Sequence, residues 1–293
     1  MHTRPVFCTD SVCQVLILFY FLLSASVNFV LCQSMFPKNN GHFESLSCQA
    51  CRDGRQLDFK LRMAFQPIFD LSQKTMFAYE ALARGPEGQG AGWVLEQVTK
   101  EHLYQFDQVA RVTAIETAAK LKMETKLSIN FLPNAVYKPE TCIRATLEAA
   151  ETFQFPTENL IFEVSEGEEP ISIAHLVGIL KEYRSQGFLS AIDDFGAGYS
   201  GLKLLTRLTP DIVKFDRDLI SDIHLNPKKQ KIMRHMISLA RDLNILSVAE
   251  GIELPEERDW LLEAGIALQQ GYLFARPALE KLETVETIIS NMQ

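Results

Sequence analysis

The residues that could do chemistry stand apart from one another in this chain. They are Glu80 and Arg84, Asn130, Glu163 and Glu166, the pair Asp193-Asp194, Lys214 and Asp216, Glu250 and Glu253, and Gln270. One acidic residue after a strand is ordinarily a helix cap or a solvated loop charge. Five carboxylates converging on one mouth would be different, because crowded like charges cannot all stay ionised without counter-charge. Glu80, Glu163, Asp193, Asp194 and Glu250, with the amide of Asn130, form an all-oxygen donor set. Such a set suits Mg²⁺ or Mn²⁺, whereas zinc favours His and Cys. The adjacent Asp193 and Asp194 could serve two ions, one carboxylate bridging and one terminal. Two ions about 3.5–4 Å apart clamp the attacking and leaving oxygens of a phosphoryl displacement. Lys214 among these acids is an ion-pair partner, or a group that orients an attacking water and stabilises developing charge. Arg84 could hold a phosphate oxygen. The six histidines stay outside the constellation: His2 and His42 lie in the tail, and His102, His175, His224 and His235 in helices or loops.

The elements that must position these residues alternate. Short apolar runs predict strands over 62–67, 75–82, 126–130, 160–164, 189–193, 212–215, 245–249 and 267–269. Amphipathic runs over 105–121, 171–186 and 228–243 predict helices between several of them. Repeated strand-then-helix units mean parallel strands with helical crossovers. Eight such strands predict an α/β fold of the (β/α)8 TIM type, whose chemistry sits where the strand ends meet at one rim. The first two strands are joined at 70–74, with no room for a helix. They must form an antiparallel hairpin, so the barrel is imperfect.

Composition agrees with one large globular unit. Of 293 residues, 47% are hydrophobic and 23% charged, which supports a sizeable core and excludes disorder. A formal charge of −8 argues against DNA or RNA as a partner held through phosphate contacts. Residues 12–32 are apolar and uncharged, long enough to span a bilayer. Three readings of residues 1–34 stand open: a single-pass inner-membrane anchor, a start assigned upstream of Met35, and a cleaved signal. Residues 35–59 are polar and turn-rich, a linker preceding a domain over 60–293. His42, Cys48 and Cys51 could supply three metal ligands, but a structural zinc site needs four, so ordinary thiols are the simpler reading.

The chain resembles the EAL domain family, whose members hydrolyse cyclic di-GMP. The matches run in family order: Gln66-Pro67-Ile68; Glu80-Ala81-Leu82 inside YEALARG; Asn130 in SINFLP; Glu163 in FEVSE; Asp193-Asp194 in DDFGAGYS; Lys214 in VKFD; Glu250 and Glu253 in AEGIE; and Gln270 opening QGYLFARP. The resemblance implies an imperfect barrel with an antiparallel first strand, a cytoplasmic catalytic domain and a homodimer. It implies Mg²⁺- or Mn²⁺-dependent cleavage of one phosphodiester to linear pGpG, with two ions. It assigns Glu80, Asn130, Glu163, Asp193, Asp194 and Glu250 as metal ligands, and Lys214 as the partner of the nucleophilic water. Glu250 is also a candidate base. Gln66, Arg84 and Gln270 correspond to substrate contacts. Glu253 falls in the catalytic set with Lys214 and Glu250, as a support of the site, and Glu166 and Asp216 correspond to supports of its loops. Ala197 replaces the usual Thr of DDFGTG, and Gly85 stands where many members have Trp. No family ligand is lost here, so hydrolysis is the expected activity. The alternative is a silent receptor or an interaction module.

Overall fold

The computed structural model describes residues 57, 59–99, 102–136, 138–166, 170, 172–198 and 201–292. The expectations for the apolar segment 12–32, for His42, Cys48 and Cys51, and for most of the linker lie outside them. Among the described residues, no helix is long and apolar enough to cross a membrane.

Eight strands close into a barrel: β1 Arg62–Asp70, β2 Thr75–Arg84, β3 Lys126–Asn130, β4 Leu160–Ser165, β5 Leu189–Phe195, β6 Ile212–Phe215, β7 Leu246–Ala249 and β8 Leu268–Gln269. A short β9, Ala278–Leu279, adds to the outer half of β1. From β2 to β8 every neighbouring pair is parallel. β1 closes the ring antiparallel to both β2 and β8. The reason is the expected tight turn. Asp70 accepts hydrogen bonds from the Ser72 N–H at 2.8 Å, the Ser72 hydroxyl at 2.6 Å and the Gln73 N–H at 3.0 Å. Lys74 completes the reversal with a positive φ of 55°. A turn this short permits only an antiparallel return.

Helices cover the outside: α1 Ala91–Gln97, α2 Leu103–Lys120, α3 Pro139–Cys142, α4 Arg144–Phe153, α5 Ile173–Ser185, α6 Gly201–Leu205, α7 Arg217–Ile220, α8 Pro227–Asp242, α9 Pro255–Ala264 and α10 Val285–Asn291. The strand starts match the sequence expectation within a residue. β1, β2, β4 and β5 run one to three residues further than expected, because their ends still pair with neighbours.

One buried layer fixes the geometry of the mouth. Ile68, Ala78, Ile161, Ala191, Ile212, Val248 and Leu268 pack together inside the barrel, each from a different strand. Side chains alternate faces along a strand, so the next inward position lies two residues on. Two residues toward the mouth from that layer stand Glu80, Glu163, Asp193, Lys214, Glu250 and Gln270 on the parallel register. On β1, which runs the other way, the position is two residues earlier, Gln66, paired opposite Glu80. An apolar floor therefore carries a polar layer directly above it.

Candidate active site

Lys214 is the centre of that polar layer. Its side chain is 1% exposed. Its ammonium lies 2.7 Å from Glu250 Oε1, 2.9 Å from Asp193 Oδ1, 3.0 Å from Glu163 Oε1 and 3.5 Å from Glu80 Oε2. One positive charge thus faces four carboxylates. Ser128 donates to Glu163 Oε1 at 2.6 Å, and Asn130 Nδ2 donates to Glu80 Oε1 at 3.0 Å. Gln270 Nε2 donates to Glu80 Oε2 at 2.8 Å and to Gln66 Oε1 at 3.2 Å. Gln66 in turn donates to the Ala275 carbonyl. The structure places the sequence-derived Gln66, Glu80, Asn130, Glu163, Asp193, Lys214, Glu250 and Gln270 in one cluster and adds Ser128 to it.

Asp194 enters the cluster through a backbone irregularity. In a regular strand its side chain would point away from that of Asp193. The β5–β6 register shifts between Ile192 and Phe195, and Asp194 takes a left-handed φ of 52°. A bulge of this kind re-aims a side chain. Ser165 donates to the redirected carboxylate at 3.0 Å. Adjacency in sequence could not reveal this turn of the chain.

The electrostatics fit a cation site. Burial pushes the Glu163 carboxyl up to about 8, with Glu80 and Asp193 adding to the rise against the pull of Lys214. Burial and the neighbouring Asp193 hold Glu250 well above its ordinary value. Asp194 is raised by burial and by Asp193. The Lys214 ammonium is desolvated, but the surrounding acids raise it well above the usual lysine range. Glu163 Oε2 is buried and finds no hydrogen-bond donor among the described residues. Two carboxylate triads have oxygens within 4.8 Å of one another: Glu80, Glu163 and Asp193, and Asp193, Asp194 and Glu250. Asp193 belongs to both. Hard oxygen donors, excess negative charge and an orphaned carboxylate oxygen fit divalent magnesium or manganese.

A pH dependence follows. A carboxyl raised in the folded state binds its proton more tightly there than in the unfolded chain, so stability falls as pH rises through the interval. Without metal, the melting temperature is expected to fall from pH 5 to pH 8, where the folded chain keeps the Glu163 proton that the unfolded chain has lost. Lys214, raised well above this window, contributes equally across it. Added Mn²⁺ must compete with that proton, so its stabilising effect is expected to grow over the same interval. Thermal unfolding in chelator and in Mn²⁺ at three pH values measures both trends. A metal-free melting temperature that climbs with pH would contradict the site's electrostatics.

The loops around the mouth are braced by further acids. Glu166 accepts the Gly196 N–H at 2.7 Å and the Gly201 N–H at 2.5 Å, spanning the loop after β5. Asp216 caps α7 through the Asp218 N–H at 2.7 Å. Glu253 pairs with Arg217 at 2.8 Å at the rim. Arg84 is half-buried and donates to the Ala83 carbonyl, and burial lowers its guanidinium from its usual value. An open cavity of about 280 Å³ lies over the cluster, lined by Gln66, Glu80, Asp193, Asp194, Asp216, Arg217, Glu250, Glu253, Gln270 and Tyr272. Arg84 does not line it.

Four contributors escaped the sequence reading. Ser128 shares the inward face with Asn130, and Ser165 with Glu163, so the two-residue period could have found both. Arg217 sits next to Asp216, and nothing in its spacing marked it. Glu257 is buried and accepts the N–H groups of Asp222, Glu253 and Leu254. Its position three residues after Leu254, behind Pro255, is that of a helix-capping acid.

Gly271 is required by a close crossing. A Cβ there would lie 2.1 Å from the Ile252 carbonyl oxygen and 2.3 Å from the Ile252 nitrogen. Both atoms are engaged, with Gln270 and Leu273. Gly271→Ala is expected to destabilise by about 3 kcal/mol or more, because backbone must move to relieve the overlap. Urea denaturation measures it, and a change below about 1 kcal/mol would contradict the crossing as drawn.

A (β/α)8 barrel with a carboxylate-lined mouth over an apolar floor defines the class, and known proteins narrow it. The EAL domain family model matches residues 50–277. The chain therefore belongs to the EAL domain family. It is 32% identical over 287 residues to the probable cyclic di-GMP phosphodiesterase PdeG of Escherichia coli K12, covering 94% of this chain and 54% of that protein. The c-di-GMP-bound form of a standalone versatile EAL protein from Vibrio cholerae O395 is 50% identical, with a TM-score of 0.76, covering 78% of this chain and 97% of that one. The manganese/cy-diGMP complex of Klebsiella pneumoniae BlrP1 at pH 9.0 is 31% identical, with a TM-score of 0.72, covering 94% of this chain and 72% of that one. The chain spans about half the length of the first curated relatives it matches.

Proposed function

We propose that this chain hydrolyses one phosphodiester bond of cyclic di-GMP to give linear pGpG, using Mg²⁺ or Mn²⁺. The observation that carries the reading is the pair of carboxylate triads sharing Asp193 around the buried Lys214 ammonium. The similar proteins with cyclic di-GMP or manganese bound support it. Glu80, Glu163, Asp193, Asp194 and Glu250, with Asn130, would hold two ions. When bound, such ions polarise the phosphodiester and lower the pKa of an attacking water.

This chain's own groups do the rest. Lys214 donates hydrogen bonds to the attacking water and offsets charge that develops at phosphorus. Glu250, with Oε1 at 2.7 Å from that ammonium, stands ready to accept the water's proton. Water's oxygen joins phosphorus, the ester oxygen leaves, and the proton released returns to solvent or to the leaving oxygen. Gln66 and Gln270 line the cavity and are placed to contact the nucleotide. Arg84 would exchange its backbone carbonyl partner for a phosphate oxygen. Glu166, Asp216 and Glu253 hold the loops that form the rim.

Cyclic di-GMP binding in Ca²⁺ against turnover in Mg²⁺ separates this reading from a silent receptor. Calcium tolerates looser geometry than magnesium. The proposal expects binding under calcium and consumption under magnesium. Binding in both with consumption in neither would make the chain a receptor. We also propose a homodimer, by family likeness, to be tested by light scattering with metal and nucleotide present. A monomer at micromolar concentration would count against it.

A further inference from the structure

Asn130 carries the only amide among the proposed metal ligands, and it stands at the exposed end of β3. Its side chain bonds to Glu80, so where it stands depends on its backbone. Each of the next two residues is tied to a different element. Phe131 donates its N–H to the Glu163 carbonyl of β4 at 3.0 Å. Leu132 donates its N–H to Asp107 Oδ1 of α2 at 3.0 Å. Behind the loop, on the α1–α2 side, lies an apolar cavity of about 240 Å³ lined by Leu82, Leu95, Phe106, Asp107, Asn130 and Leu132. The loop is therefore not clamped by dense packing on that side, and the Asp107 hydrogen bond crosses to it.

The anchor is itself held rigidly. Asp107 is 3% exposed, and its second oxygen accepts from Arg111 Nη2 at 2.6 Å. Arg111 is fully buried and donates also to Thr146 Oγ1 at 3.0 Å and to the Tyr183 hydroxyl at 3.5 Å. A buried ion pair is often no more stabilising than a well-packed apolar pair. An apolar pair could not accept the Leu132 N–H.

We propose that Asp107 is a positioning residue of the metal site: by holding the Leu132 N–H it fixes the loop that presents Asn130, and Arg111 fixes the carboxylate. The inference rests on the reading of Asn130 as a metal ligand. The double variant Asp107→Leu/Arg111→Met removes the anchor without leaving a buried charge unpaired. Asp107→Glu keeps the charge against Arg111 but displaces the oxygen facing Leu132, and is read if the double variant does not fold. Thr146→Val removes one buried neighbour of Arg111 Nη1 and keeps the Nη2 contact to Asp107, and serves as the structural control.

Two readouts are taken on the full chain below its melting temperature: the Mn²⁺ concentration for half-maximal cyclic di-GMP hydrolysis, and the melting-temperature rise on adding Mn²⁺. The proposal expects the folded anchor variant to need about tenfold more Mn²⁺ and to lose most of the rise, with Thr146→Val like wild type. A folded anchor variant with wild-type Mn²⁺ dependence in both readouts overturns it, as does an equal shift in Thr146→Val. If the wild type binds Mn²⁺ without hydrolysis, the phosphodiesterase reading fails and the melting-temperature readout still decides the role of Asp107.

Discussion

Glu80→Ala is expected to abolish hydrolysis of cyclic di-GMP and leave the barrel folded. Glu80 joins three parts of the site. One oxygen accepts from Asn130, and the other accepts from Gln270 and faces Lys214 at 3.5 Å. It also completes the triad with Glu163 and Asp193. On the proposed ligation, loss of Glu80 removes charge stabilisation worth several kcal/mol in the transition state, so kcat should fall at least about a thousandfold. Stability should move the other way. Removing one of several crowded carboxylates relieves repulsion, so the metal-free melting temperature should hold or rise, while the gain from Mn²⁺ shrinks. Steady-state kinetics and thermal unfolding of one preparation check both. Near-normal kcat, or an unchanged Mn²⁺ gain, would remove Glu80 from the site.

Lys214→Met should lower both turnover and stability. The ammonium is almost fully buried and balances four acids, so its removal leaves carboxylates desolvated and uncompensated. Breaking a buried ion pair by removing one partner costs about 3–5 kcal/mol. The loss should be larger at pH 8 than at pH 5, where Glu163 holds its proton. Bound metal should recover part of it. In turnover, losing a group that stabilises developing charge is expected to lower kcat by about 10²–10³. Cyclic di-GMP binding in Ca²⁺ should change little, because no substrate contact is assigned to Lys214. A variant with reduced affinity and intact kcat would make Lys214 a binding residue instead.

Much of this site was legible because a strand's period is two. Glu80, Glu163, Asp193, Lys214, Glu250 and Gln270 each stand two residues above a buried apolar residue of the barrel floor. A chain that alternates strand and helix must bring those positions to one rim. The hairpin between β1 and β2 was equally plain, since four residues cannot hold a crossover helix. The illegible parts arise where backbone or long-range pairing overrides the period. The bulge that turns Asp194 toward Asp193 is a local φ choice that tertiary pairing stabilises. β9 is two residues long and exists only because β1 offers it an edge. The polar interior of α2, with Asp107 and Arg111 buried, was hidden because that helix is covered on more than one side. Ser128 and Ser165 had the right parity, but hydroxyls look ordinary until an acid is found beside them.

The most direct test of the central claim is product analysis. The full chain is incubated with cyclic di-GMP and Mg²⁺ or Mn²⁺, and the nucleotides are separated by chromatography, with Glu80→Ala in parallel. The account predicts conversion to pGpG by the wild type, dependent on metal and absent from the variant. Intact cyclic di-GMP after prolonged incubation of folded, metal-loaded protein would contradict it, and equal conversion by Glu80→Ala would place the chemistry elsewhere.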